Sequence, residues 1–259
     1  MAVARASNDA LAEIVRANPT RFQALAAVPT PQPDAAAEEL ERAVTQLGFC
    51  GAMLFGRTGE VPADARAFDP LYATAARLGA PLYLHPQTPV PAVMQAYYAG
   101  FDQSVSQMFG TFGVGWYYDN GVQLLRLIFS GVFDRHPGLQ VIVGHWGELV
   151  LFYLDHIASM QATGLHLERP LADYFRQNVW VTGSGVLSER YLRWTAEVVG
   201  TDRLMYSTDY PFTYAAPYPP MDTSRGRGRR FLEAAPFTEA EKVAIGSGNW
   251  ERLCAGIRR

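Results

Sequence analysis

Short apolar runs alternate along this chain with longer segments of helical periodicity. The strand-like runs are FQALAAVP (22–29), FCGAMLF (49–55), PLYLHP (81–86), QVIVGH (140–145), VWVTGS (179–184) and RLMYSTDYP (203–211). Helical patterns lie between them. DAAAEELERAVTQLG (34–48) offers Asp34 as an N-cap and Gly48 as a C-cap, and FDPLYATAARLG (68–79) repeats the pattern. Strand, helix, strand at this spacing predicts parallel βα units, and strands apolar on both faces predict a sheet covered on both sides.

Each run ends in polar or special residues: Gly56 and Arg57, His85, His145, Thr182 and Ser184, and Asp209. In barrels and open α/β sheets alike the carboxyl ends of the strands form the active-site face, so these residues are expected at one mouth. Residues 87–118 break the rhythm with a stretch rich in aromatic residues, Gly and Pro. It reads as a lid or pocket wall, or equally as ordinary core packing for Tyr97, Tyr98 and Trp116. The loop at 210–226 is expected to border the same mouth.

Composition narrows the picture without redirecting it. A chain of 259 residues accommodates one large domain, 1–259, and 49% hydrophobic with 18% charged residues excludes a disordered or fibrous protein. A net charge of −3 calls for neither nucleic acid nor an anionic membrane, and SRGRGRR (224–230) reads as a solvated loop leading into a helix. No apolar run approaches the roughly 18 residues of a membrane span, and MAVARASNDA lacks the apolar core of a signal peptide, so a cytoplasmic protein is expected. Cys50 and Cys254, far apart in sequence and in apolar contexts, suit packing roles in a reducing compartment better than a disulfide framework.

The candidate chemistry sits at three strand ends. His85 closes PLYLH, and Pro86 holds the chain extended beyond it. His145 and Glu148 fall where a strand becomes a helix. If Gly147 and Glu148 begin that helix, the carboxylate lies near its N-terminus and folds back to the imidazole, fixing its tautomer and raising its basicity. Glycines on either side point to close backbone approach or tight turning. Asp209, in MYSTDYPF, must be paired, hydrogen bonded or metal bound if buried. Together His85, His145 and Asp209 offer donors of the kind Zn²⁺ takes, and Mn²⁺ accepts a similar set. Arg57, ending FCGAMLFGR, is a candidate for a substrate carboxylate or an ordinary surface arginine.

PLYLHP, RLIFSGVFDRHPGLQVIVGHWGE, STDYPF and the closing GNWERL, in that order, resemble segments of the amidohydrolase-related (amidohydrolase 2) family. That family includes aminocarboxymuconate semialdehyde decarboxylase, γ-resorcylate decarboxylase and other dihydroxybenzoate decarboxylases. The resemblance runs from about residue 8 to the C-terminus. It implies a TIM (β/α)₈-type barrel with a divalent metal, Zn or Mn, at its mouth. His85 would be a ligand on the fifth strand, Asp209 a ligand or proton donor on the eighth, and His145 on the sixth the catalytic histidine, oriented by Glu148 and available as a third donor.

The implied substrate is a small aromatic or unsaturated carboxylic acid that loses CO₂ non-oxidatively, with Tyr97 and Trp116 as an apolar wall. A homodimer or homotetramer is also implied. Metal-dependent hydrolysis of a ring-cleavage product or lactone is the competing chemistry, and a truncated, catalytically weak barrel the third reading. Members of the family begin with a strand bearing Glu-x-His or His-x-His, and no such pair precedes His85. Six strands rather than eight are visible, so the expectation is a barrel lacking its first two βα units. A start placed at an internal Met1, a natural truncation with weak metal affinity, or a partner chain covering the open edges would each account for this.

Overall fold

The computed structural model of the chain describes residues 1–212 and 226–259. The loop expected at 210–226 and the start of the basic cluster at 224–230 lie almost wholly or partly outside the described residues. Six strands form one sheet: β1 (Ala26–Ala27), β2 (Ala52–Phe55), β3 (Leu82–His85), β4 (Val141–Val143), β5 (Val179–Thr182) and β6 (Leu204–Met205). They lie in chain order and every neighbouring pair is parallel. Among the described residues β1 and β6 are the two ends of the ladder.

All six strands fall inside the apolar runs, but each is shorter. The largest contraction is at 203–211, where the ladder stops at Met205 because the Tyr206 N–H turns away to the Ile245 carbonyl at 2.8 Å. The pleat sorts side chains by parity. Leu54, Leu82, Leu84, Val141, Val143, Val179, Val181 and Leu204 join the main core on one face. Ile142, Trp180 and Met205 form a second, smaller cluster on the other, with Leu253, Tyr83 and Trp250. Met53 pairs in register with Tyr83 and Phe55 with His85, yet they remain 40% and 51% exposed, so this inner face is filled on the β3–β6 side and open on the β2 side.

Helices α1 (Ala2–Ala17), α2 (Pro33–Thr45), α3 (Asp69–Leu78), α4 (Gly115–Phe129) and α5 (Asn249–Ala255) frame the sheet. The caps expected for α2 are displaced. Gln32 is the N-cap, because Pro33 with its fixed φ takes the first helical position; Asp34 lies one residue inside, where its charge favours the helix dipole. The helix ends at Gln46 rather than Gly48, and Gly48 (φ +75°) instead makes the turn that returns the Phe49 N–H to the Ala43 carbonyl. Gly79 ends α3 in the left-handed conformation.

The outer edge of β1 is covered by α1. The Asn8 side chain accepts from the Ala27 N–H and donates to the Ala27 carbonyl, both at 2.9 Å, taking the place of a neighbouring strand. Asn8 also donates to Glu39, which is completely buried and receives Arg42 and Arg5. Cys50 and Cys254, expected in packing roles, are both free thiols, the first buried and the second half-buried. Among the described residues no helix is long and apolar enough to cross a membrane.

Candidate active site

His85, His145 and Asp209 share one cavity of about 250 Å³ at the carboxyl end of the sheet, walled by Phe112, Trp116, Tyr117, Ser184, Val186 and Phe212. Strand geometry places the first: His85 is the last residue of β3, stacked edge-on against Phe55 with ring centroids 5.7 Å apart. Its Nδ1 is 2.7 Å from the Pro86 carbonyl, which can only accept, so Nδ1 carries the proton and Nε2 keeps its lone pair.

His145 and Glu148 meet as the sequence suggests, but by a different route. The helix start expected at Gly147 and Glu148 is not a right-handed helix. His145, Trp146, Gly147, Glu148 and Leu149 all have positive φ (46°, 60°, 87°, 55° and 65°), forming one left-handed turn. That turn brings Glu148 Oε1 to 2.9 Å from His145 Nδ1, with no helix dipole contributing. Four of the five residues carry a Cβ, and the left-handed conformation costs such residues roughly 1–2 kcal/mol each, so surrounding contacts must hold the turn.

Those contacts are visible. Asn120 on α4 donates to Glu148 Oε1 and to the Leu84 carbonyl, both at 3.1 Å. Trp146 donates to the Val186 carbonyl at 2.7 Å. A Cβ on Gly144 would come within 2.6 Å of Ser184 Oγ, which is why glycine stands where the strand enters the turn. Glu148 Oε2 is buried and has no hydrogen-bond partner among the described residues.

Beneath the cavity Tyr83, Thr182 and Ser184 join hydroxyls in a ring, at 2.9 Å, 3.0 Å and 2.9 Å. Ser184 (φ +42°) and Asp209 (φ +54°) are also left-handed, so every non-glycine residue with positive φ among the described residues lies just beyond β4, β5 or β6. Burial pushes the Asp209 carboxyl above the usual carboxylate range, and the nearby His145 and His85 only partly offset it.

The donor types in this cavity fit a divalent metal: two imidazoles whose Nδ1 atoms are engaged, leaving Nε2, and one carboxylate. Among the described residues, however, no three such groups stand close enough to form a metal cage. Trp116 lines the cavity and Tyr97, 71% exposed, does not. Arg57 does not line it either. Its guanidinium, half-buried, donates to the Gly59 and Thr88 carbonyls and faces Asp119 at 3.8 Å, while Trp116 donates to the Thr88 hydroxyl.

Phe112, Tyr117 and Asn120 are site residues the sequence reading passed over. Asn120 was the traceable one: a fully buried amide on the apolar side of α4, beside Leu124 and Leu127. The segment 87–118 is helical turns rather than an open loop, with Tyr98 buried against Phe109 and only Phe112, Trp116 and Tyr117 reaching the cavity. A cleft of about 670 Å³ adjoins His145 through Tyr117 and Val186, and one of about 600 Å³ opens under the sheet beside residues 19–25; neither contains His85 or Asp209.

A parallel α/β sheet whose strand ends carry two oriented imidazoles and a half-buried carboxylate has the arrangement of the active-site face of α/β barrel enzymes. The chain belongs to the amidohydrolase family, whose model matches residues 1–253. It is 35% identical over 263 residues to a γ-resorcylate decarboxylase of Rhodococcus jostii, covering 95% of this chain and 74% of that protein. It is 38% identical over 214 residues to decarboxylase orsB of Emericella nidulans, covering 80% of this chain and 64% of that protein, less than two thirds of its length. The crystal structure of a dihydroxybenzoic acid decarboxylase from a Polaromonas species, with bound manganese and the inhibitor 2-nitroresorcinol, superposes with a TM-score of 0.85 at 33% identity, covering 97% of this chain and 74% of that one.

Proposed function

We propose that this chain carries the catalytic mouth of a metal-dependent, non-oxidative decarboxylase acting on a small hydroxybenzoate-like acid, in the cytoplasm and as a homo-oligomer. The observation that carries the reading is the single aromatic-walled cavity holding His85, His145 and Asp209, with Glu148 behind His145. Family membership and decarboxylase relatives support the reaction class. A divalent ion, manganese as in the Polaromonas enzyme or zinc, would be held by His85 and Asp209 and would supply a Lewis-acid anchor for the substrate's oxygens.

The chain's own residues supply the rest. Asp209, whose carboxyl is raised by burial, delivers a proton to the ring carbon that bears the carboxylate; the bond from that carbon to the carboxylate then breaks and CO₂ leaves. Glu148 holds the Nδ1 proton of His145, so Nε2 is presented to the substrate hydroxyl and steadies charge there. Phe112, Trp116 and Tyr117 offer faces for an aromatic ring and exclude water, which favours loss of a charged carboxylate.

The test supplies manganese to the purified chain and follows a panel of hydroxybenzoates for CO₂ release. Water incorporation without CO₂ would replace this reading with hydrolysis. His85→Ala and Asp209→Asn should each lower bound manganese and abolish turnover; unchanged metal content in both would overturn the ligand assignment.

A further inference from the structure

The cleft of about 670 Å³ beside the catalytic cavity is built by segments that also position the site. The left-handed turn at 145–149 leads into Val150–Tyr153, whose first two residues are buried while Phe152 and Tyr153 are left exposed. The helix Glu189–Val199, capped by the Ser188 side chain accepting from the Tyr191 N–H, sets Tyr191, Trp194 and Thr195 along one face by their spacing of three and four residues. Phe152 lies against Trp194 with ring centroids 4.7 Å apart. Tyr117 and Tyr118, in the first turn of α4, supply a third wall.

Among the described residues the lining contains no carboxylate, and apart from His145 at the inner end its one charged side chain is the exposed Arg190. Soluble proteins rarely leave several large apolar groups such as Leu149, Phe152, Tyr153 and Tyr191 exposed around one hollow unless something apolar fills it. The hollow also reaches the reacting groups, since Tyr117, His145 and Val186 line both it and the catalytic cavity. Tyr117 packs on His145 with ring centroids 4.6 Å apart, and the Val186 carbonyl accepts from Trp146. Sharing these residues leaves the two spaces no more than one side chain apart.

Volume decides what can enter. Ligand sites commonly span about 300–1,000 Å³, and the catalytic cavity, at about 250 Å³, suits a single substituted ring. The adjoining space is more than twice as large. We propose that this cleft is a subsite for an uncharged, linear alkyl substituent on the ring of the acid, entering past Tyr117 and Val186 from the ring edge that faces His145. For the ring this rests on the decarboxylase reading; the tail is additional. A second copy of the chain could cover the exposed rim, but the continuity of the hollow with His145 selects a ligand.

The experiment titrates the purified chain, with manganese supplied, by calorimetry with resorcinols bearing linear chains of one, three and five carbons, and follows CO₂ release from the 2,4-dihydroxy-6-alkylbenzoates that would yield them. Binding should tighten about threefold per methylene, on the order of 100-fold from one carbon to five. Phe152→Glu, which sets a carboxylate among the exposed rings, and Trp194→Ala should each flatten that gain to about threefold overall, while the one-carbon resorcinol binds as in the parent. Affinity that is undetectable, flat or falling with chain length in the parent would overturn the proposal, as would a gain kept in both variants. Dissociation of an oligomer in Phe152→Glu with the gain unchanged would likewise overturn it and assign the cleft to a second copy. Rising affinity without CO₂ from any member would keep the subsite and defeat the decarboxylase reading; CO₂ from unsubstituted 2,6-dihydroxybenzoate with no gain from a tail would do the reverse.

Discussion

Glu39 and Glu148 are both buried glutamates, at 0% and 1% exposure, and both hold a side chain from another element. Around Glu39 every demand is met. Oε1 accepts from Asn8 and Arg42, Oε2 from Arg5 and Arg42, and the residue sits inside the right-handed helix α2. Around Glu148 the demands are met on one side alone. Oε1 accepts from His145 and Asn120, Oε2 is buried without a partner among the described residues, and the backbone is left-handed. The first network closes the edge of a sheet; the second stores strain and an unpaired oxygen at the mouth. Fully satisfied buried polar groups mark structure, whereas strain held in place by its surroundings marks a site.

The contrast breaks most sharply under substitution at the mouth. His145→Ala should lower turnover by about 10³-fold and Glu148→Gln by about 10²-fold, with Tm within a few degrees of the parent, as steady-state kinetics beside thermal melts would register. A loss of metal content equal to the loss of turnover in Glu148→Gln would shift its role to supporting a ligand.

At the other glutamate the balance reverses. Glu39→Ala should cost about 3 kcal/mol in urea unfolding, because it strands Asn8 and Arg42, while turnover per folded molecule stays unchanged. Although burial opposes it, hydrogen bonds from Arg42, Asn8 and Arg5 leave the Glu39 carboxyl below its ordinary value of 4.5. A depressed carboxylate contributes stability that is fully present above pH 4.5 and lost as pH falls through the lower folded value. Urea midpoints measured across that window should therefore fall more steeply in the parent than in Glu39→Ala.

The smallest effect sharpens the comparison. Leu149→Gly relieves one left-handed residue at an exposed position, and should stabilise the chain by about 0.5 kcal/mol after the extra chain entropy of glycine. A destabilisation above about 1 kcal/mol would mean that the Leu149 side chain, not the turn, carries the local structure.

Much of the fold was legible because parallel strands buried on both faces leave an unbroken apolar run, and all six runs became strands. Strand ends were less legible. Where Met205 stops depends on Ile245, forty residues away in the chain, and the caps of α2 were decided by Pro33 rather than by the nearest polar residue. That His85, His145 and Asp209 would share one cavity was legible because a titratable residue closing an apolar run is conspicuous. Phe112, Tyr117 and Asn120 could not be ranked, since their arrival depends on how α4 packs over β3 and the turn after β4. Arg57 looked equally apt at its strand end, and its guanidinium turns instead to the Thr88 and Gly59 carbonyls.

By itself, then, the sequence determined the alternation of strand and helix, the parallel sheet and the order in which chemistry appears at its carboxyl ends, because these follow from periodicity within a few residues. Tertiary structure alone decided that His145 and Glu148 meet through a left-handed turn and that Asn8 closes the edge of β1. Each of these depends on contacts between segments distant in the chain, and only such contacts can hold a disfavoured φ or set a side chain in the place of a missing strand.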